Sequence, residues 1–429
     1  MDRKHGGRAV KRVVLGLAIA ALIFEAALAQ EVGVTSDQPT SYWDYILKRA
    51  ADIEKMDLWG ITSTQLPEGV FSIKFKWTHK RADERYDDKG NETPLLQPIE
   101  FDDPFGGEGK FLKLDFDAKG HGYGYTFQLS YGITDPLDVY IELPFQTEYL
   151  YMNPRFEAGT CANLGVRTLD EFYEFLELLG RPRMTEKYES TGWETGDVHT
   201  GFSFNYYRSR YLSTAVTGRV FFPTGKLADP NQSINYALGP QIDIGMGSYA
   251  VGATHGLDYR PPWPLNRLNA AFEISWAYYF KGVREAPKFL KPKVDIESIV
   301  GKDPELSAYL PDLSNIPDHY YITPGHQIDW NVNVGLDFNL IGVSIGYAYA
   351  WAQKPEIDAS SKDFKKMLDA FEMFTEQETE NIVTHVVINL LSVGVPAIID
   401  LGNEYPIGGK YAIKYEDSYT AQIQLFFPF

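Results

Sequence analysis

After residue 24 the chain has no run of roughly 18 consecutive apolar residues, the length that would mark a membrane-crossing helix. Segment after segment instead alternates apolar and polar side chains. In the closing stretch YTAQIQLFFPF, Tyr419, Ala421, Ile423, Leu425, Phe427 and Phe429 share one face, while Thr420, Gln422 and Gln424 share the other. That period of two is the period of a β-strand. Phe71, Ile73, Phe75 and Trp77 oppose Ser72, Lys74 and Lys76 in the same way, and Tyr123, Tyr125, Phe127, Leu129 and Tyr131 oppose Gly122, Gly124, Thr126, Gln128 and Ser130. Further on, Val198, Phe202, Phe204 and Tyr206 oppose Asp197, His199, Ser203 and Asn205.

These patterns place strands near 71–77, 122–131, 139–145, 197–206, 212–222, 248–259, 268–281, 326–338, 341–353, 381–391, 396–406 and 417–429, twelve in all. Short connections at GITDPLD, RSRY, PPWPLN, FNLI and SVGVP separate long ones near 80–120, 150–195, 223–247, 282–325 and 354–380. Brief periplasmic turns and longer outer loops alternate in this way in membrane barrels. Residues 236–246 also alternate. A thirteenth strand would reverse the direction of the last one in a chain that starts in the periplasm, so this stretch is assigned to a loop.

One-sided alternation also suits a secreted β-sandwich. Two features favour a transmembrane antiparallel up-and-down β-barrel. The polar faces carry charge on nearly every strand, and aromatic residues gather where strand ends would meet the two interfaces of a bilayer. Trp77, Tyr123, Tyr149, Phe280, Trp330 and Trp351 fall toward the outer side, and Phe71, Tyr131, Phe427 and Phe429 toward the inner. The final strand must then pair with the first, because in lipid each unpaired backbone group costs several kcal/mol. A last strand ending in Phe429 also resembles the signal by which the barrel-assembly machinery recognises outer-membrane proteins.

The other end of the chain points to the same compartment. Arg3, Lys4, Arg8, Lys11 and Arg12 precede the apolar run Val13 to Phe24 and a small-residue site after Ala29, the layout of a cleaved signal peptide over 1–29. The expected location is the outer membrane of a Gram-negative bacterium, with membrane lipid and lipopolysaccharide as surroundings. The net charge is −18, and removing a segment with five basic and two acidic residues makes the remainder more acidic still. Such a surface repels nucleic acid. Cys161 is the single cysteine, which leaves neither a disulfide framework nor a thiolate metal cage.

Residues 30–67 precede the barrel of 68–429. Within them SYWDYILKRAADIEKM puts Trp43, Ile46, Leu47, Ala50 and Ile53 at helical spacing. Two placements are open to this amphipathic helix, a plug in the lumen or a periplasmic helix at the barrel mouth. The loop stretches TLDEFYEFLELLG and DFKKMLDAFEMF are expected to be helical and to cap the outer end.

In their order along the chain, YGITDPLDVYIELPF, TGDVHTGFSFNYYRS, VFFPTGK and PGHQIDWNVNVGLDFNLIGVSIGYAY resemble the outer-membrane proteins catalogued under the meta-cleavage pathway of phenol degradation, a transporter-like family. The resemblance spans most of 120–429. His326 departs from it, standing where the family carries an acidic residue, and so do the long helix-bearing loops. The resemblance implies uptake of small organic compounds, aromatic ones among them.

On the barrel reading the lumen is lined by Lys74, Lys76, Gln128, Glu142, Asp197, His199, Asn205, Arg219, Glu273, Asp329, Asn331, Asn333 and Asp337. Both signs are present, so composition alone indicates neither an anion nor a cation filter. In a barrel this narrow, side chains and inward loops decide whether it conducts. A constricted solute path and a filled polar core held by ion pairs both fit. Catalysis is not expected: Asp197 and His199 share a face, but Ser203 lies four residues beyond His199, too far along a strand for contact. The histidines are scattered, and GKLADPNQS is too sparse for a calcium loop. No metal or cofactor is expected.

Overall fold

The computed structural model describes residues 66–103, 109–178, 183–190, 192–233, 241–262, 264–288, 316–338, 340–369 and 376–428. The expected signal peptide, the helix near 41–56 and Phe429 lie outside them. Twelve strands form the wall: β1 (Val70–Ala82), β2 (Lys119–Thr134), β3 (Leu137–Tyr151), β4 (Val198–Arg208), β5 (Leu212–Phe222) and β6 (Ala250–Tyr259), then β7 (Leu268–Tyr279), β8 (Gly325–Asp337), β9 (Ile341–Ala352), β10 (Gln377–Asn389), β11 (Ala397–Lys410) and β12 (Asp417–Pro428). Each pairs antiparallel with its sequence neighbours, and β12 pairs with β1, so the sheet closes on itself. The closing ladder runs from Val70 opposite Pro428 to Arg81 opposite Asp417. The twelve expected strands are therefore present. Of the alternating stretch 236–246, residues 236–240 lie outside the described residues and 241–246 add no strand to the wall, where β5 pairs directly with β6.

Alternation sorts the side chains. Phe127, Tyr131, Ile141, Phe202, Val334, Ile345 and Leu425 point outward and are exposed, while Ser72, Ser130, Asn205, Ser275, Asn333 and Gln424 point inward and are buried. This reverses the arrangement of a water-soluble protein and is what a lipid solvent requires. Aromatics mark both ends of the outer face. At the short-turn end Phe71 sits opposite both Tyr131 and Phe427, and Tyr206, Tyr207, Tyr211 and Tyr259 are exposed. Toward the long-loop end the Trp77 ring lies 6.2 Å from His79, Tyr123 4.8 Å from His79, and Trp330 5.2 Å from Tyr347. Trp351 Nε1 donates to Glu376 at 2.5 Å.

The long loops fold into bodies with cores of their own. Strands Ile99–Asp102, Lys110–Asp115 and Arg155–Ala158 form a small sheet against helix α1 (Leu169–Leu178), burying Leu112, Leu114, Phe116, Cys161, Phe172 and Tyr173. Thr168 and Glu171 cap α1 reciprocally: Thr168 Oγ1 accepts from the Glu171 N–H at 3.3 Å, and Glu171 Oε2 accepts from the Thr168 N–H at 2.9 Å. This core is continuous with the inner wall at Ala82 and Leu150, so the first body is seated on β1 to β3. A second body joins Gly282–Glu285, His319–Thr323 and Glu356–Asp358 with helix α2 (Lys362–Asp369) around Tyr320, Ile322, Ile357, Phe364 and Leu368. Both expected loop helices are thus present, the second described through Asp369. A third small sheet is tied by Lys414, whose Nζ reaches Glu84 at 2.7 Å and Glu92 at 2.8 Å.

One junction differs from the rest. β3 pairs with β4 only from Leu137 to Glu142. Above that, Pro144 offers no N–H, its carbonyl accepts from Gly196 at 2.8 Å, and the upper half of β3 pairs instead with loop strands Lys187–Glu189 and Glu194–Thr195.

Candidate solute path through the barrel

Register places the expected lumen residues in rows. Lys74 on β1 is opposite Gln128 on β2, Gln128 opposite Glu142 on β3, and Glu142 opposite His199 on β4. The row ends in contact, with His199 Nε2 2.9 Å from Glu142 Oε1. Lys76 lies one inward position above Lys74, opposite Thr126 and Gln422. The Asn205 amide and the Ser213 hydroxyl are hydrogen-bonded at 2.8 Å. Arg219 on β5 hydrogen-bonds the Thr254 hydroxyl and donates to Ser275 at 2.9 Å, so its bonded partners are hydroxyls. Asp337 meets Arg260 at 3.4 Å at the short-turn rim. Asp197 stands just before β4, where its carboxylate accepts from Gly225 and Met246 N–H groups, each at 2.8 Å, and so ties down the loop between β5 and β6. Ser203 bonds Thr217 at 2.8 Å, and the Asp197, His199 and Ser203 side chains form no relay.

A second set lies six strands around the wall from β1. Glu273 on β7 is opposite Asn331 on β8, Ser275 is opposite Asp329, and Asn333 donates to Asn331 at 2.9 Å. The next strand, β9, turns Gly342, Ser344, Gly346, Ala348, Ala350 and Ala352 inward, in register with Asp337, Gly335, Asn333, Asn331, Asp329 and Gln327. No side chain larger than serine enters the lumen from β9. Asp329 points inward and is nonetheless exposed to water.

Two inward features were not singled out from sequence. His385 on β10 and Asp400 on β11 meet at 3.1 Å, and the alternation within 381–391 and 396–406 carried the signal for both. The other is a latch at the short-turn mouth. The Leu66 N–H donates to Asp138 Oδ2 at 3.1 Å, and Leu66 is buried with Val70, Leu391, Ile398 and Phe426. Gly132 permits the approach, since a Cβ there would lie 2.0 Å from the Pro67 carbonyl oxygen.

The arrangement defines a membrane-type barrel with a polar, partly open interior, and comparison with known proteins agrees on the fold. An outer membrane channel from Pseudomonas putida F1 superposes with a TM-score of 0.51 at 11% identity, over 85% of this chain and 97% of that one. A toluene transporter of Pseudomonas putida (8% identity, 85% and 91% coverage, TM-score 0.32) and a monoaromatic hydrocarbon channel (8% identity, 92% and 95% coverage, TM-score 0.32) align only loosely. No protein-family model and no curated protein matches the sequence.

Proposed function

We propose that the protein is an outer-membrane channel for passive uptake of small organic solutes in a Gram-negative bacterium. The observation that carries this reading is Asp329, inward-facing yet water-exposed, beside a strand whose inner face holds nothing larger than serine. A barrel filled by its own side chains would bury such a group. The ordered motifs shared with the phenol-degradation family support organic, aromatic-bearing solutes, and the signal segment and aromatic belts support the outer membrane.

The test is single-channel conductance of the refolded mature chain in planar bilayers, with and without residues 30–67. Steady currents from the full-length form are expected. Currents only after truncation would make the N-terminal segment a plug latched at Asp138 and Gly132. Silence from both folded forms would overturn the channel reading.

A second reading, a sleeve or surface-interaction barrel, draws on the two loop bodies, whose separate cores exceed what bare connections need. Its mark is an occupant that co-purifies with a silent barrel.

A further inference from the structure

The two signs of charge in the lumen are sorted by strand. Lys74, Lys76 and Lys80 all occupy inward positions of β1. From β6 to β10 the inward positions hold no lysine or arginine. Glu273 and Asp329 stand there, and the guanidinium groups that reach this side come from its edge: Arg219 on β5, bonded to Ser275, and Arg260 just after β6, paired with Asp337 at the short-turn rim.

The open space lies along the same sector. Ala350 is in register with Asp329, Ala348 with Asn331, and Gly346 with Asn333. Asn333 is 4% exposed, and its Oδ1 has no hydrogen-bond donor among the described residues. That oxygen is aimed at the bare strand, for a Cβ added at Gly346 would lie 2.0 Å from it. A buried acceptor without a donor is costly, and this one stands on the same strand as Asp329, whose carboxylate is exposed to water.

We infer that the path along β9 is a lane for organic cations, in which an alkyl- or arylammonium solute lays its apolar body on Ala348 and Ala350, beside the Asn333 amide that covers Gly346, and turns its N–H donors to Asp329, Glu273 and Asn333 Oδ1. The inference rests on the channel reading and names its solute class. A Gly/Ala wall accepts a flat apolar body without hydrogen-bond demands of its own. The carboxylates of Glu273 and Asp329 on β7 and β8 repel anionic solutes and leave neutral ones without a charge partner.

The experiment uses the full mature chain in planar bilayers at neutral pH, with benzylammonium chloride and potassium benzoate as probes. Reversal potentials are expected to show benzylammonium permeating about fivefold or more better than benzoate, the effect of roughly one charge acting at close range through a water-like medium. Asp329→Asn should bring the ratio toward unity, and Glu378→Gln, outside the lumen, should leave it unchanged. Preference for benzoate, or a ratio that Asp329→Asn does not move, overturns the lane. If the folded protein is silent both with and without residues 30–67, the channel reading fails by itself. The lane is then decided by saturation-transfer NMR on the detergent-solubilised protein. Tighter binding of benzylammonium than of benzyl alcohol, weakened by Asp329→Asn, sustains it, and equal binding of the two overturns it.

Discussion

Opposite halves of the barrel interior are built on different plans. Around β1 to β4 the lumen is crowded: the Lys74, Gln128, Glu142 and His199 row spans four strands, the first loop body is seated on Ala82 and Leu150, and Leu66 is latched to Asp138. Around β8 to β10 one whole strand contributes only glycine, alanine and serine. Crowded walls fix shape, because their side chains satisfy one another. A bare wall leaves room, and polar neighbours left without protein partners there are available to whatever passes.

The contrast can be broken most directly by filling the bare side. Ala350→Trp should reduce single-channel conductance to a small fraction of the parent value while heat-modifiable gel migration shows a folded barrel. Next in size is truncation on the crowded side. Phe426 is 1% exposed in the cluster with Leu66, Val70 and Leu391, so Phe426→Ala should cost about 3–5 kcal/mol in denaturant titrations. Ser344→Ala on β9 should stay within about 0.5 kcal/mol. Gly132→Ala sharpens the comparison at the latch. Its Cβ meets the Pro67 backbone, so about 1–3 kcal/mol of overpacking should expel the segment and open the chain near residue 66 to protease.

The smallest effect lies in the first loop body. Backbone N–H groups of Arg167 and Thr168 hold the Glu171 carboxylate below the usual glutamate range. A depressed carboxylate contributes stability above the unfolded-state value and loses it as pH falls through the folded-state value. Amide exchange in α1, corrected for intrinsic rates, should therefore quicken as pH drops below the ordinary glutamate range, while the β8 to β10 amides stay protected.

Alternation revealed the barrel because lipid outside and polar groups inside impose a period of two on every strand. It misplaced ends where that contrast fades. β10 begins at Gln377, ahead of the apolar alternation, because Glu378 and Glu380 take outward positions near the rim, where water replaces lipid. β11 likewise runs to Lys410. Within the site, inward parity was readable for Lys74, Glu142, His199 and Asn333. Asp197 sits one residue before its strand, where loop N–H groups claim it. The bareness of β9 was written plainly in GYAYAWA. Its meaning depends on Asn333 and Asp329 standing beside it, which no single strand displays.

The closing ladder also sets a schedule. Gln424 bonds Ser72 across 352 positions of chain, so the seam joining β12 to β1 forms only after all the intervening strands exist. Until then β1 presents an unpaired edge, the kind that recruits stray strands, and no partially made barrel is a stable resident of a bilayer. Closure is thus a single late event that commits the whole chain. A truncation that removes only the last strand should leave material that aggregates or is degraded, without yielding a smaller pore.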